Sequence, residues 1–208
     1  MTQATQLAKG IVEMHLAISE ATQEKLLAYL ALLQKWNKIY NLTAVRDPEE
    51  MVTLHLLDSL SVLPHTVGKR LLDVGSGAGL PGIILAIVQP ELQVTTIDAV
   101  QKKAIFMRQV KGELALSNLQ VVHARVEQYQ TVEKFDMIIS RAFSEIALFV
   151  NLTKHLLKEN GRWLAMKGLT PSEEMATLTA LESQIIPLQV AGLQAQRHLV
   201  IARNKILN

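Results

Sequence analysis

The sequence predicts an α/β fold: a mostly parallel seven-stranded sheet, an antiparallel hairpin at one edge, and extra helices at the N-terminus. Three observations lead there. Short apolar runs alternate with helical segments from Pro64 onward, and strands separated by helices pair in parallel through right-handed crossovers with helices on both faces. The last two runs are joined only through Ala191-Gly-Leu-Gln, too short for a crossover, so they should form a hairpin. No strand signal appears before Arg70.

Residues 1–63 carry helical spacing, with Leu26, Leu30, Leu33 and Tyr40 near one face and Leu27, Ala31 and Trp36 beside it. The stretch from Asn41 to Pro48 interrupts the pattern. Asp47-Pro48-Glu49-Glu50 then starts a new helix with acids in its first turn, and Met51, Leu54, Leu57 and Leu60 extend it. These residues read as a helical extension packed on a domain that spans 64–208. In that domain strands are expected at Arg70 to Val74, Gln93 to Ile97, Leu119 to Val122, Phe135 to Ser140, Arg162 to Met166, Gln184 to Val190 and His198 to Ala202. Helices are expected at 81–88, 101–115, 145–157 and 172–182.

The first expected strand runs into Asp73-Val-Gly75-Ser-Gly77-Ala-Gly79-Leu80-Pro81-Gly82 and then Ile83-Ile-Leu-Ala-Ile-Val88, a strand, a glycine turn and a helix. Glycines let the chain turn tightly and a ligand approach the backbone, and the helix that follows offers unpaired N–H groups. Two registers fit. Gly77-x-Gly79-x-x-Gly82 matches a dinucleotide fingerprint, which alone is weak. Asp73-x-Gly75-x-Gly77-x-Gly79 is similar to the first motif of S-adenosylmethionine methyltransferases. Pro81 favours the second, since it lacks the N–H that a pyrophosphate would use. Asp73 favours it too, by placing negative charge where a diphosphate is repelled and a cationic ligand is tolerated. Asp98 closes the next strand at a distance suited to ribose hydroxyls, which serves either cofactor.

Composition narrows the chemistry. At 208 residues the chain is one ordinary domain or a domain with a small appendage. There is no cysteine, which excludes disulfides, thiolate metal sites and cysteine nucleophiles and suits a reducing cytosol. No apolar run approaches a membrane span, and no signal peptide is evident, so the expected location is cytoplasmic. Net charge is only +2, yet residues 1–60 hold five Lys/Arg and seven Asp/Glu while 61–208 hold sixteen and twelve, leaving the larger part basic. The six histidines form no recognised metal-ligand spacing, so no metal is expected.

In an open sheet of this kind ligands lie beyond the carboxyl ends of the strands. The residues to inspect are Gly75 to Gly79, Asp98, His123 to Glu127, Arg141 and Lys167-Gly168. A backbone N–H near Val126 or Glu127 suits adenine, and Leu80 could cover an apolar part of a cofactor or simply pack. After the fourth strand comes Ser140-Arg141-Ala142-Phe143, not the Asn/Asp-Pro-Pro-aromatic segment typical of enzymes that methylate exocyclic amines of bases. Carbon-5 methylation of pyrimidines needs a cysteine. An acceptor that already owns a lone pair remains: a ring nitrogen or an oxygen.

Across about residues 24–203 the chain resembles the bacterial small-subunit ribosomal RNA guanine-N7 methyltransferases, also called glucose-inhibited division protein B. The resemblance is carried in order by Trp36-Asn37-x-x-Tyr40-Asn41-Leu42-Thr43, His55-x-x-Asp58-Ser59-Leu60, the Asp73 to Gly82 block, Phe106-x-Arg108-Gln109-Val110, Ser140-Arg141-Ala142-Phe143, Lys167-Gly168 and Arg197-His198-Leu199-Val200. It implies the class I, Rossmann-like methyltransferase fold and the cofactor S-adenosylmethionine, leaving S-adenosylhomocysteine. It implies cofactor contacts at Gly75, Leu80, Val126, Glu127 and Arg141, beside Gly77, Gly79 and Asp98 from the motif reading. The implied reaction is methyl transfer to N7 of a guanine near the decoding site of 16S ribosomal RNA. Guanine N7 carries no proton, so no general base is expected and alignment matters most.

Arg141 is the foremost positioning candidate, holding the methionine carboxylate, a phosphate or O6 alone, because bidentate reading of guanine would mask N7. The bland alternative is a salt bridge to Asp136 or Glu145. Lys167, Arg197 and His198, with Lys102, Lys103 and Arg125, are candidates for RNA phosphates. Phe143 could stack a base or sit in the core, and His55 with Asp58 could flank the pocket or tie the N-terminal helices to the sheet. Expected partners are 16S ribosomal RNA within a 30S particle, with the protein a monomer. Competing readings are a small-molecule methyltransferase, a NAD-binding module using the Gly77 to Gly82 register, and a ribosome-binding scaffold.

Overall fold

A computed structural model describes residues 1–205 apart from 142, 144, 170, 171 and 177. Seven strands form one sheet in the order β3-β2-β1-β4-β5-β7-β6: β1 (Arg70–Val74), β2 (Gln93–Asp98), β3 (Leu119–His123), β4 (Phe135–Ser140), β5 (Leu157–Lys167), β6 (Leu181–Pro187) and β7 (His198–Asn204). The first five pair in parallel, while β7 runs antiparallel between β5 and β6. The expected sheet with its edge hairpin is therefore the one that forms.

Among the described residues eight α-helices surround it: α1 (Gln3–Glu13), α2 (Glu20–Tyr40), α3 (Pro48–Met51), α4 (Asp58–Leu60), α5 (Gly82–Val88), α6 (Gln101–Glu113), α7 (Ile146–Thr153) and α8 (Ser172–Ala176). Adjacent residues of β1 face opposite ways, as the two-residue period of a strand requires. Leu71 joins a core with Leu30, Ile83 and Phe106 on one side, and Leu72 joins another with Ile146, Phe149 and Trp163 on the other. The N-terminal helices share the first of these cores through Leu7, Leu26, Leu30 and Leu33. Helix α2 is framed by local chemistry: Ser19 Oγ accepts from the Thr22 N–H at its start, and Asn41 adopts the left-handed conformation at its end.

Several bounds depart from the sequence reading. Strand β5 starts at Leu157, five residues before the expected Arg162, because Leu157 pairs with Phe135 ahead of a register shift in which residues 158–161 of β5 bulge opposite Asp136. The segment expected to be helical over 172–182 ends as helix at Ala176, and Leu181 enters β6, where pairing with β7 supplies the hydrogen bonds a further helical turn would have made. Accordingly β6 spans Leu181–Pro187 rather than Gln184 to Val190, and Val190 and Ala191 are buried in the connecting loop. Helix α7 stops at Thr153 rather than at 157. The Thr153 hydroxyl turns back to the Phe149 carbonyl, and a 3-10 turn, Lys154–Leu156, leads into β5. The helix through Met51, Leu54 and Leu57 is not α throughout, since Val52–Leu57 forms a π-helix between α3 and α4. Tyr40, expected on the buried face of α2, is 41% exposed and stacks on Trp36 with ring centroids 5.2 Å apart.

Candidate active site

The strand order reverses between β1 and β4, the point in such a sheet where a crevice opens at the carboxyl ends. The glycine turn sits there. Gly75, Gly77 and Gly79 have φ of +67°, +61° and +88°, values that any Cβ would strain. The turn is tied on all sides. The Gly75 N–H donates to Ile97 O at 2.9 Å and Gly77 N–H to Asp98 Oδ2 at 2.8 Å. The Gly79 and Leu80 N–H groups both donate to Ser76 O. A Cβ added at Gly75 would meet no atom within 4 Å, and one at Gly77 only the Gly75 carbonyl at 3.9 Å, so this side of the turn borders open space.

That space is a cleft of about 390 Å³, walled by Gly75, Asp98, Val126, Glu127, Phe143 and Leu152 among others. Most of its wall is apolar. Asp98 supplies a carboxylate 6% exposed, whose Oδ1 accepts from Val100 N–H at 2.8 Å and whose Oδ2 lies 3.7 Å from Lys103 Nζ. Val126 and Glu127 lie in a 3-10 turn, Val126–Gln128, after β3, and Glu127 pairs with Arg125 at 3.6 Å. Gly79 and Leu80 lie elsewhere: Gly79 packs on Ile83, and Leu80 is 2% exposed in the core.

Asp73 does not present its charge to this space. It is completely buried beneath the turn, where Oδ2 accepts from Gly82 N–H at 2.9 Å, anchoring the start of α5. Burial outweighs that bond and lifts its carboxyl to about 7. The residue is a strut: contrary to the expectation from its place in the sequence, it sets no negative charge against a diphosphate in the cleft, because the strand turns its side chain inward.

A second cavity of about 400 Å³ adjoins the end of β4 and is lined by Thr43, His55, Asp58, Arg141, Lys167 and Arg197, with Val45, Leu54 and Met166 as apolar wall. Arg141 is bonded neither to Asp136 nor to Glu145. Its Nη1 donates to Leu54 O at 2.9 Å and to Asp58 Oδ2 at 3.2 Å. Asp136 is engaged by Lys158 Nζ at 2.7 Å and by the N–H groups of Lys69 and Arg70. Asp58 also accepts from Arg197 Nε at 2.9 Å. Lys167 Nζ donates to both carboxylate oxygens of Glu174 at 3.0 Å and to Phe143 O at 3.2 Å. His198 Nδ1 lies 3.3 Å from Gly168 O. Ala142 of the Ser140-to-Phe143 motif lies outside the described residues.

His55 and Asp58 do not pair with each other. His55 Nε2 is hydrogen-bonded to Thr43 Oγ1 at 3.0 Å, while burial, reinforced by the Arg141 charge, depresses its ionisation to about 4 and keeps the ring neutral. The loop that brings Thr43 here is held by Asn37, whose Oδ1 accepts from Thr43 N–H at 2.9 Å and whose Nδ2 donates to Val45 O at 3.3 Å. Of the remaining cations, Lys102 Nζ donates to Tyr40 O at 2.8 Å, linking α6 to the end of α2. Sequence reasoning missed Thr43, Val45, Leu54 and Met166 as cavity residues and Tyr29 as a support of the turn. Their residue types signal only packing or polarity, and of these residues Thr43 alone stands in a motif, the Trp36 to Thr43 signature.

The family model described as GidB, rRNA small subunit methyltransferase G, matches residues 22–200. A relative from Methylobacillus flagellatus, named ribosomal RNA small subunit methyltransferase G, is 66% identical over 194 residues, covering 93% of this chain and 95% of its own. One of the same name from Chromobacterium violaceum is 53% identical over 198 residues, covering 94% and 95%. Among solved structures, the N-methyltransferase NodS from Bradyrhizobium japonicum, in complex with S-adenosylhomocysteine, superposes with a TM-score of 0.57 at 15% identity, covering 83% of this chain and 100% of its own. Precorrin-6y C5,15-methyltransferase from Geobacter metallireducens gives 0.56 at 10% identity, covering 71% and 87%. At such identities these two speak to the fold: that of class I methyltransferases.

Proposed function

The chain belongs to the ribosomal RNA small subunit methyltransferase G family, and from that membership we propose that it methylates N7 of a guanine in 16S ribosomal RNA, using S-adenosylmethionine. The observation that carries the cofactor assignment is the opening beside Gly75: a space that a Cβ would enter, bordered by the carboxylate of Asp98 and an apolar wall containing Val126. Those groups fit an adenosine: hydroxyls toward the carboxylate, a base against the apolar wall, and Glu127 near its amino group. S-adenosylmethionine supplies a methyl group activated by sulfonium. Gly75, Gly77, Gly79, Asp98, Val126 and Glu127 would hold it, Leu80 would back the turn from the core, and Arg141 would orient it or the acceptor across the end of β4.

The acceptor is assigned to the second cavity, with Lys167, Arg197 and His198 toward the RNA backbone. His55 stays neutral there and adds no charge that would oppose a purine on which positive charge develops. No base is required, because the attacking lone pair is already free. Residues 1–63 act in this reading as an extension that shapes the cavity through Thr43, His55 and Asp58, and the domain proper spans 64–208. The modest net charge gives little grip on naked RNA, which favours an assembled 30S particle as substrate; the enzyme acts in this reading as a cytoplasmic monomer.

Thermal melts with S-adenosylhomocysteine and with NADH test the cofactor, since a ligand that binds the native state raises the midpoint. Incubation with labelled S-adenosylmethionine and 30S subunits, protein-free 16S RNA or no RNA tests the acceptor, with mass mapping of the methylated guanine. Stabilisation by S-adenosylhomocysteine alone and label in 30S RNA are expected. A folded protein indifferent to that ligand, or label that never enters RNA, overturns the reading.

A further inference from the structure

Resting on the acceptor assignment above, we propose that Asp58 is a positioning residue for the transfer: it holds Arg197 toward a phosphodiester of the acceptor RNA. Its carboxylate is 4% exposed and stands between two guanidiniums. Arg141 follows β4 and Arg197 precedes β7, and neither is near Asp58 in sequence, being 83 and 139 positions away. All three line the same cavity.

The two arginines are not held alike. Arg141 Nη1 has a second tie, to the Leu54 carbonyl at 2.9 Å, whereas the other hydrogen bond of Arg197 among the described residues goes to the carbonyl of its own neighbour Gln196, at 3.0 Å. Asp58 is thus what fixes Arg197 relative to the rest of the site. Among the described residues the charges around the cavity are Arg141, Arg197 and Lys167 against Asp58 and Glu174, so there three cations meet two carboxylates and one positive charge remains. His55 leaves that balance unchanged because burial keeps it neutral. An excess of one positive charge, on arginine side chains 23% and 28% exposed, suits one phosphodiester.

Asp58→Asn separates this role from simple packing. The amide keeps the shape but has one acceptor oxygen, and its NH₂ confronts a guanidinium N–H with a second donor. Arg141 can stay on the Leu54 carbonyl, so Arg197 is the group released. Asp58→Asn should therefore behave as Arg197→Gln does: KM for 30S subunits rises about tenfold, the size of one lost charge-assisted contact, while S-adenosylhomocysteine affinity by calorimetry stays within about threefold. The double variant Asp58→Asn/Arg197→Gln restores the charge balance and should match Arg197→Gln in KM, because the aspartate acts through the arginine.

The proposal is overturned if folded Asp58→Asn keeps the wild-type KM, if its S-adenosylhomocysteine affinity falls in step, or if the double variant is more than about fivefold worse than Arg197→Gln. Should Asp58→Asn alone fail to fold, the comparison of Arg197→Gln with the double variant still decides, and a double variant that also fails to fold would make Asp58 a structural residue only. Each outcome is read against a wild type that methylates RNA. A wild type without that activity would instead strike the acceptor reading itself.

Discussion

The phenolic hydroxyl of Tyr29 donates a 2.8 Å hydrogen bond to the carbonyl of Ala78, joining a helix of the N-terminal extension to the glycine turn from 49 positions away. Tyr29 is fully buried, its ring 6.3 Å from that of Phe106, and burial pushes its ionisation far above the ordinary tyrosine value, so it remains a donor at any working pH. A glycine turn whose backbone lies in the left-handed region is held in shape by a residue outside the sheet.

Tyr29→Phe should expose the weight of that tie. The ring still fills its space, but the Ala78 carbonyl loses a buried partner, at a cost of about 1–3 kcal/mol. Urea unfolding should show the loss, and S-adenosylhomocysteine affinity by calorimetry should fall severalfold as the turn loosens. Unchanged affinity would mean that the turn keeps its shape without Tyr29.

Gly75→Ala and Gly79→Ala should fail in different ways. Both place a side chain at positive φ, which costs about 1–2 kcal/mol. At Gly75 the new methyl enters the open cleft, so ligand affinity should drop sharply with little further loss of stability. At Gly79 it runs into the Ile83 side chain within the core, adding an overpacking cost of about 1–3 kcal/mol. Melting points and S-adenosylhomocysteine titrations of the two variants should rank oppositely, and the same ranking in both assays would place the cofactor elsewhere.

Asp73→Asn should change how stability depends on pH. In the folded chain Asp73 holds its proton up to about 7, while in the unfolded chain it releases it near 4. Between these values the native state binds more protons, so the Asp73 contribution to stability falls as pH rises. The asparagine variant has no such titration. Its unfolding free energy minus that of wild type should climb from about pH 4 to about 7 and then level. Neutral His55 acts in the opposite sense, because its folded value of about 4 lies below the unfolded one and stability rises with pH up to about 6.5. The wild-type profile is therefore shallow where the two overlap. A difference between variant and wild type that stays flat from pH 4 to 7 would show Asp73 ionised in the native state.

Arg141→Lys should retain the charge and lose the geometry. One guanidinium nitrogen serves both Leu54 O and Asp58, leaving the rest of the planar group to face the cavity. A lysine ammonium that takes over those two bonds is a point donor with no planar edge left to present to the cavity. Methyl transfer to 30S subunits at saturating cofactor should fall about tenfold or more while the melting point changes little. Wild-type turnover would remove Arg141 from the reaction.

What could be read along the chain was whatever neighbouring residues decide between themselves. Strands β1 and β4 have the bounds their apolar runs implied, the glycine turn lies where its spacing placed it, and the hairpin of β6 and β7 follows from a connection too short to cross over. Strand β5 could not be read in full, because Glu159, Asn160 and Gly161 carry no strand preference and lie in the register shift between the pairs Phe135–Leu157 and Met137–Arg162. Nor could the partner of Arg141, or the inward turn of Asp73. A carboxylate and two arginines separated by 83 and 139 positions meet only once the N-terminal helices dock on the sheet, and burial, which sets the charge states of Asp73 and His55, is a property of that docked assembly. The sequence by itself determined the sheet and its glycine turn. Which side chains face one another across the second cavity was left to tertiary packing, because Coulomb attraction and desolvation act through space while propensity and spacing act only along the chain.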